Sequence, residues 1–284
     1  DGADTVVIAT GENWPDALGG SALAGAVDGP ILLTKTAELP DAVKAELARL
    51  GARNAYILGG TTAVSTAVET ELNQVLSGAI VRIGGADRYA TSRAIGKTAI
   101  ELLGGAFDGT VCISTGANFP DAVAASPLGA GLGWPIVLSR PGSTSISLPS
   151  GATDAVILGG TAVIPAGMET YLEGKLGDDD VTRLGGVNRY ATAAKVAQYG
   201  VDMGLLWNGV GIATGEDYPD ALTGGAALGL RRAPLLLTEG ESLHPITKAK
   251  LVAEKDAIDS VHFLGGTAAV SAGVEAEVKT ALGF

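Results

Sequence analysis

Thr10–Gly20 reads TGENWPDALGG, and the chain writes this phrase twice more. It returns as TGANFPDAVAA at Thr115–Ala125 and as TGEDYPDALTG at Thr214–Gly224. Each copy follows a short apolar run, TVVIAT before the first. Each stands twenty residues ahead of a proline that opens another run: Pro30 in PILLT, Pro135 in PIVLS and Pro234 in PLLLT. A second phrase follows every time: YILGGT with Gly59 and Gly60, VILGGT with Gly159 and Gly160, HFLGGT with Gly265 and Gly266. Self-similarity at a fixed spacing marks a repeat architecture.

The runs are short, continuous and rich in Val, Ile and Leu, which suits strands buried on both faces. Helical patterns alternate with them, such as LPDAVKAELARLGA and STAVETELNQVL. Strand and helix in alternation predict an α/β fold of three tandem Rossmann-like modules, each a parallel sheet flanked by helices. A third phrase, RIGGADRYAT from Arg82 and RLGGVNRYAT from Arg183, occurs only twice. Taking it as the start of a copy divides the chain into modules 1–81, 82–182 and 183–284. The first then lacks the opening strand and helix. Either the sequence begins inside its first repeat, or the phrase belongs to the junctions between copies. The middle copy is also shorter between its second and third runs. Its SRPGSTSISLPSGATD stretch lacks helical periodicity, so one helix is expected to have become a loop there.

Composition narrows the function. Of 284 residues, 46% are hydrophobic and the net charge is −12, which disfavours binding to nucleic acid or to an anionic membrane surface. The longest uncharged stretch, Ala122–Ser139, is broken by Pro127, Pro135 and glycines, so no membrane insertion is expected. The single cysteine, Cys112, occupies an ordinary strand position. Neither histidine, His244 nor His262, recurs between copies, and no HExxH, GxSxG or cysteine-pair motif is present. Metal and cofactor sites are not expected.

In parallel α/β units ligands collect at the C-terminal ends of strands, where all three phrases begin. Asn13, Asn118 and Asp217 are suited to be N-caps, with Asp16, Asp121 and Asp220 three residues on as capping-box partners. The same aspartates are also candidates for ligand contact. Trp14, Phe119 and Tyr218 either staple the turn or stack on a sugar ring. Arg88 and Arg189 follow the caps Asp87 and Asn188 in the first turn of a helix, where the dipole disfavours a cation. Such an arginine implies a specific partner, either a carboxylate in a neighbouring copy or an anionic ligand.

Together, TGxxxPDAL, PILLT, ILGGT and RxGGxxRYAT in tandem resemble the cell wall binding repeat 2 modules of Gram-positive surface proteins. The resemblance spans nearly the whole chain. It implies Rossmann-like or toprim-like modules packed with pseudo-threefold symmetry. It also implies a surface protein held non-covalently on the cell wall through an anionic secondary wall polymer, with its cargo region outside this chain. Arg88, Arg189, Arg82 and Arg183, with the three aromatics, are then the candidate polymer contacts. The alternatives are a metal-dependent phosphoryl- or glycan-modifying enzyme using Asp16, Asp121 and Asp220, and a surface-layer or adhesin part held by protein contacts.

Overall fold

The computed structural model describes residues 2–284. The first unit runs β1 (Thr5–Thr10), α1 (Gly20–Ala26), β2 (Ile31–Thr34), α2 (Asp41–Leu50), β3 (Asn54–Leu58), α3 (Thr66–Val75) and β4 (Ile80–Ile83). Its sheet is parallel with strand order β2-β1-β3-β4. The second unit follows as α4 (Arg88–Leu103), β5 (Thr110–Thr115), α5 (Pro120–Ala124), α6 (Ser126–Leu132), β6 (Ile136–Ser139), β7 (Asp154–Leu158), α7 (Ala166–Leu176) and β8 (Val181–Leu184). Its order is β6-β5-β7-β8. The third holds α8 (Arg189–Asp202), β9 (Gly209–Thr214), α9 (Pro219–Leu230), β10 (Leu235–Thr238), α10 (Pro245–Glu254), β11 (Ser260–Phe263) and α11 (Ala272–Leu282), with order β10-β9-β11.

The fold is therefore three α/β units with all-parallel sheets, as the alternating pattern predicts. α2 and α10 have no counterpart in the middle unit, where 140–153 is irregular. Both internal boundaries differ. Sequence copies begin at Arg82 and Arg183, but these residues lie inside β4 and β8, which complete the preceding sheets. The chain leaves α3 or α7, returns parallel to its own sheet, and only then crosses to the next unit. The first sheet thus lacks no strand and has four, while three are described in the third. Among the described residues the first unit has no counterpart of α4 and α8, which lie against the edge strands β6 and β10 of the units they introduce.

Each unit has two apolar layers. The outer layer is private: Val6, Ile8, Leu47, Val68 and Leu72 pack together in the first unit, Ile113, Met168 and Leu172 in the second. The inner layer is shared by all three units and is rich in alanine and leucine. There α1, α6 and α9 touch one another about a pseudo-threefold axis. Cys112 is wholly buried in this layer, and burial pushes its thiol up to about 12. The helices meet backbone to backbone. A Cβ on Gly229 would stand 2.6 Å from the Pro127 carbonyl oxygen and 2.8 Å from the Ala130 methyl.

Two glycine-to-alanine changes are expected to move stability in opposite directions. Gly229→Ala overfills the axis and should cost about 1–3 kcal/mol. Gly174→Ala in α7, where a Cβ meets open space, should gain about 0.5–1 kcal/mol of helix propensity. Urea melts of both variants check this.

Candidate functional site

Three equivalent clefts open at the C-terminal ends of the central strands. The first, about 320 Å³, is lined by Thr10, Asn13, Asp16, Thr62 and Arg88, among others. The second, about 240 Å³, is lined by Thr115, Asn118, Asp121, Gly160, Arg189 and Thr192. The third, about 420 Å³, is lined by Thr214, Glu216, Asp217, Asp220 and Ala268.

The turn beneath each cleft is built alike. The strand-end threonine hydroxyl accepts the amide two residues on: Thr10 from Glu12, Thr115 from Ala117, Thr214 from Glu216, each at 3.1 Å. The helices begin at Pro120 and Pro219, with Phe119 and Tyr218 at the N-cap and no side chain capping them. In the first copy the helix starts only at Gly20. Asn118 and Asp217 instead accept the next residue's amide, at 2.9 and 2.8 Å. The capping-box expectation for Asn13, Asn118, Asp217, Asp16, Asp121 and Asp220 is thus not met. In the second and third copies proline at the first helical position moves the helix start past the Asx residue, and in the first the helix starts beyond Pro15 altogether.

The aspartates are turned inward over the second glycine phrase. Gly59, Gly159 and Gly265 have φ of 95°, 110° and 98°, values that favour glycine. A Cβ on Gly59 or Gly159 would also meet the carboxylate of Asp16 or Asp121 at 2.6 Å. All three carboxyls are held above the usual aspartate range, burial being the main cause. For Asp16 the Thr91 hydroxyl and Arg88 pull the other way, and for Asp121 Thr192 and Arg189 do so. Asp220 has no such relief, and Asp217 beside it raises it further.

The arginines join neighbouring units. Asp87 and Asn188 are the N-caps of α4 and α8, accepting the Ala90 and Ala191 amides as expected. From the next position Arg88 donates through Nη1 to the Gly116 carbonyl at 2.8 Å, with its guanidinium 4.9 Å from the Trp14 ring. Arg189 donates to the Gly215 carbonyl and lies 6.0 Å from the Phe119 ring. The hydrogen-bond partner is a backbone carbonyl and not the expected carboxylate of a neighbouring copy, because the strand-end turn presents its glycine carbonyl to the guanidinium. At the third junction the Tyr218 hydroxyl donates to the Gly11 carbonyl at 2.6 Å. Nothing in the sequence alone signals this bond, because its partners are 207 residues apart.

The three rings link in series beside the clefts, Trp14 to Phe119 at 6.4 Å and Phe119 to Tyr218 at 5.9 Å. Arg82 and Arg183 serve their own units. Arg82 pairs with Glu69 at 2.7 Å and donates to the Gly59 carbonyl; Arg183 pairs with Glu169 at 2.8 Å and donates to the Gly159 carbonyl. Gly60 and Gly266 border open space. Among the described residues no three His, Cys, Asp or Glu side chains converge to hold a metal ion.

The fold and its repeated clefts define a class: tandem α/β binding modules that present one strand-end site several times. The chain belongs to the cell wall binding domain 2 (CWB2) family, whose model matches residues 2–69, 82–169 and 183–275. It is 30% identical over 282 residues to the N-acetylmuramoyl-L-alanine amidase LytC of Bacillus subtilis (strain 168), covering 98% of this chain and 53% of that protein. It is 27% identical over 273 residues to the amidase enhancer of the same organism, covering 96% of this chain and 36% of that protein. The chain therefore spans about half, or less, of the length of these curated relatives. Cwp8 and Cwp6 from Clostridium difficile share the fold, with TM-scores of 0.83 and 0.80, each at 24% identity. The matches cover 99% and 96% of this chain, and 48% and 42% of those chains. Family membership places the chain at the cell wall surface as a wall-binding module. No helix among the described residues is long and apolar enough to cross a membrane.

The carboxyls make a pH prediction. Asp121 binds its proton more tightly folded than unfolded, so it favours the native state most at low pH. That contribution is lost as pH rises from the ordinary value of 3.8 through the raised native value. Asp121→Asn should flatten the melting profile in that window. Asp87 has the opposite sign. The Ala90 amide lowers it first and Arg140 adds to this. Its contribution is present above 3.8 and is lost as pH falls through the lowered native value. Urea melts across pH check both.

Proposed function

We propose that the chain anchors a surface protein to the cell wall by multivalent, non-covalent binding of an anionic secondary wall polymer at the strand-end clefts. The observation that supports this most is the pairing of one half-buried carboxyl with one guanidinium in each of two clefts. Arg88 and Arg189 each spend one donor on a carbonyl, and a guanidinium has five. The remaining donors suit an anionic group, and Asp16 and Asp121 suit hydroxyls of the same chain. A repetitive ligand can engage both clefts at once, which multiplies affinity without new contacts. Trp14 and Phe119 lie against Arg88 and Arg189 and help to position them, while Tyr218 bonds the third junction.

Asp16, Asp121 and Asp220 lie in separate clefts, and this distribution suits repeated binding better than a concentrated catalytic centre. The relatives' names, an amidase and an amidase enhancer, fit a binding region that carries a separate envelope-acting cargo.

Retention on purified Gram-positive walls, before and after mild acid strips the secondary polymer, tests the reading. Retention should be lost on stripped walls and fall with salt. The Arg88→Gln, Arg189→Gln double variant should retain at least about tenfold less, equivalent to about 1.4 kcal/mol, while still melting cooperatively. Equal retention on stripped walls would favour anchoring by protein contacts instead.

A further inference from the structure

We infer that the hollow between α4 and the irregular stretch after β6 is an anion site, and that Arg93 and Arg140 take there the phosphate of an ester carried on a sugar or polyol. The hollow exists because the middle unit has no helix at this place. In the third unit α10 packs against α8, the Gln198 side chain accepts Lys250 of α10, and His244 stacks on Tyr190 at 4.0 Å. The middle unit fills less of the same space. Residues 140–153 are irregular there, and Arg140 takes the place over Tyr89, at 4.3 Å, that His244 has over Tyr190. A space of about 120 Å³ stays open between the two walls. A water molecule's share of the liquid is about 30 Å³, so a phosphate group fits.

The helix wall is charged where its counterpart is not. Aligned on their shared RYAT, α4 has Arg93 and Lys97 where α8 has Ala194 and Gln198. Lys97 pairs with Glu101, and Arg140 with Asp87. Arg93 lines the hollow, and among the described residues it enters no ion pair. Arg140 spends one donor on Asp87, and a guanidinium has five. The loop wall supplies hydroxyls. In the run Ser145-Ile146-Ser147-Leu148 the apolar residues turn into the outer layer of the middle unit, which leaves the two serines exposed at the rim. Ser139, at the end of β6, joins them. Its counterparts Thr34 and Thr238 donate to the Glu38 and Ser242 carbonyls in the segments that follow. Among the described residues no such bond ties Ser139 to its loop. Two guanidiniums and three hydroxyls thus converge with one carboxylate, Asp87, beside them. Phosphate oxygens match this set, and guanidinium binds them as a fork. One turn further along α4 a second hollow, about 310 Å³, is lined by Lys97, Ile100 and Pro149 among others. Its apolar lining suits the carbon face of the sugar or polyol that bears the phosphate. Neither hollow shares a lining residue with the three strand-end clefts, so the inference does not rest on the wall-polymer reading.

The test titrates the intact chain with inorganic phosphate and with glucose 1-phosphate, and follows the amide shifts of residues 143–147 by two-dimensional NMR. The chain carries Arg88→Gln and Arg189→Gln, so that the cleft arginines do not contribute. The unaltered chain, titrated in parallel, should respond alike at residues 143–147. The shifts should saturate with both probes, and at lower concentration with glucose 1-phosphate. Added salt should weaken binding. Adding Arg93→Gln should raise the half-saturation concentration at least about tenfold. Because Arg93 enters no ion pair, that variant should melt at an unchanged temperature. Shifts that fail to saturate would overturn the inference, and so would saturation indifferent to Arg93→Gln. Equal half-saturation by the two probes would reduce the site to one for a bare anion and overturn the ester.

Discussion

The structure depends on how closely α1, α6 and α9 approach one another. Three α/β units can share one inner layer only if the helices at the axis have almost no side chains between them. Gly129 packs on Ser21, Gly131 on the Gly229 carbonyl, and Gly225 on Ser126. This constraint explains a composition that otherwise looks odd for a core, with 42 glycines and only 5% aromatics. Bulky side chains occur in both layers: Trp134, Ile95 and Ile136 in the inner one, and Val68, Met168 and Val274 in the outer ones, where α3, α7 and α11 bury them against the other face of their sheets. The inner layer sets the geometry and the outer layers supply each unit's own burial.

Close approach at the axis brings the strand-end turns of adjacent units side by side. A turn carbonyl facing a neighbouring unit needs a donor, since an unpaired polar group out of water costs about 1–3 kcal/mol. Arg88 and Arg189 supply it twice, and Tyr218 supplies it once. The glycine of each TG step is also shaped by this meeting, because Tyr89 packs on Gly116 and Tyr190 on Gly215. Arginine in the first turn is electrostatically misplaced for its own helix. The neighbouring carbonyl, the ring beneath it and the aspartate in the cleft offset that cost. The residues that fasten the units thus also line two of the three clefts.

Much of this was legible in the sequence because the repeats expose it. The three TG phrases mark strand ends, the Ser- and Pro-rich stretch after Ser139 marks the missing helix, and Asp87 and Asn188 read correctly as caps. The misreadings have local causes. Asn118 and Asp217 look like caps, but Pro120 and Pro219 take the first helical position and place the aromatic at the N-cap. Arg82 and Arg183 look free beside a glycine turn, yet Glu69 and Glu169 sit a helix away, and only the folded strand brings them together. Repetition also hides the junctions, since a phrase read as the start of one copy supplies the last strand of the copy before it. The bond from Tyr218 to Gly11 has no local signature at all. It follows only from closing three units into a ring.

The inward aspartates argue that the clefts are more than seams. A capping aspartate would be stabilised by amides and held below its ordinary pKa, as Asp87 is. Asp16, Asp121 and Asp220 are shifted the other way, so the fold carries a cost to keep them there. Asparagine at these positions would keep the shape and remove much of that penalty. Packing alone therefore gives no reason for a carboxyl in all three places. A ligand that offers hydroxyl donors gives one, because it would satisfy the carboxylate that the cleft has partly stripped of water. On the wall-polymer reading, Arg88 and Arg189 then select for negative charge on that same ligand. The third cleft, which no arginine lines among the described residues, would accept the hydroxyls and repel the charge. The three clefts are equivalent in backbone and unequal in electrostatics, and that inequality would orient a charged polymer across the ring.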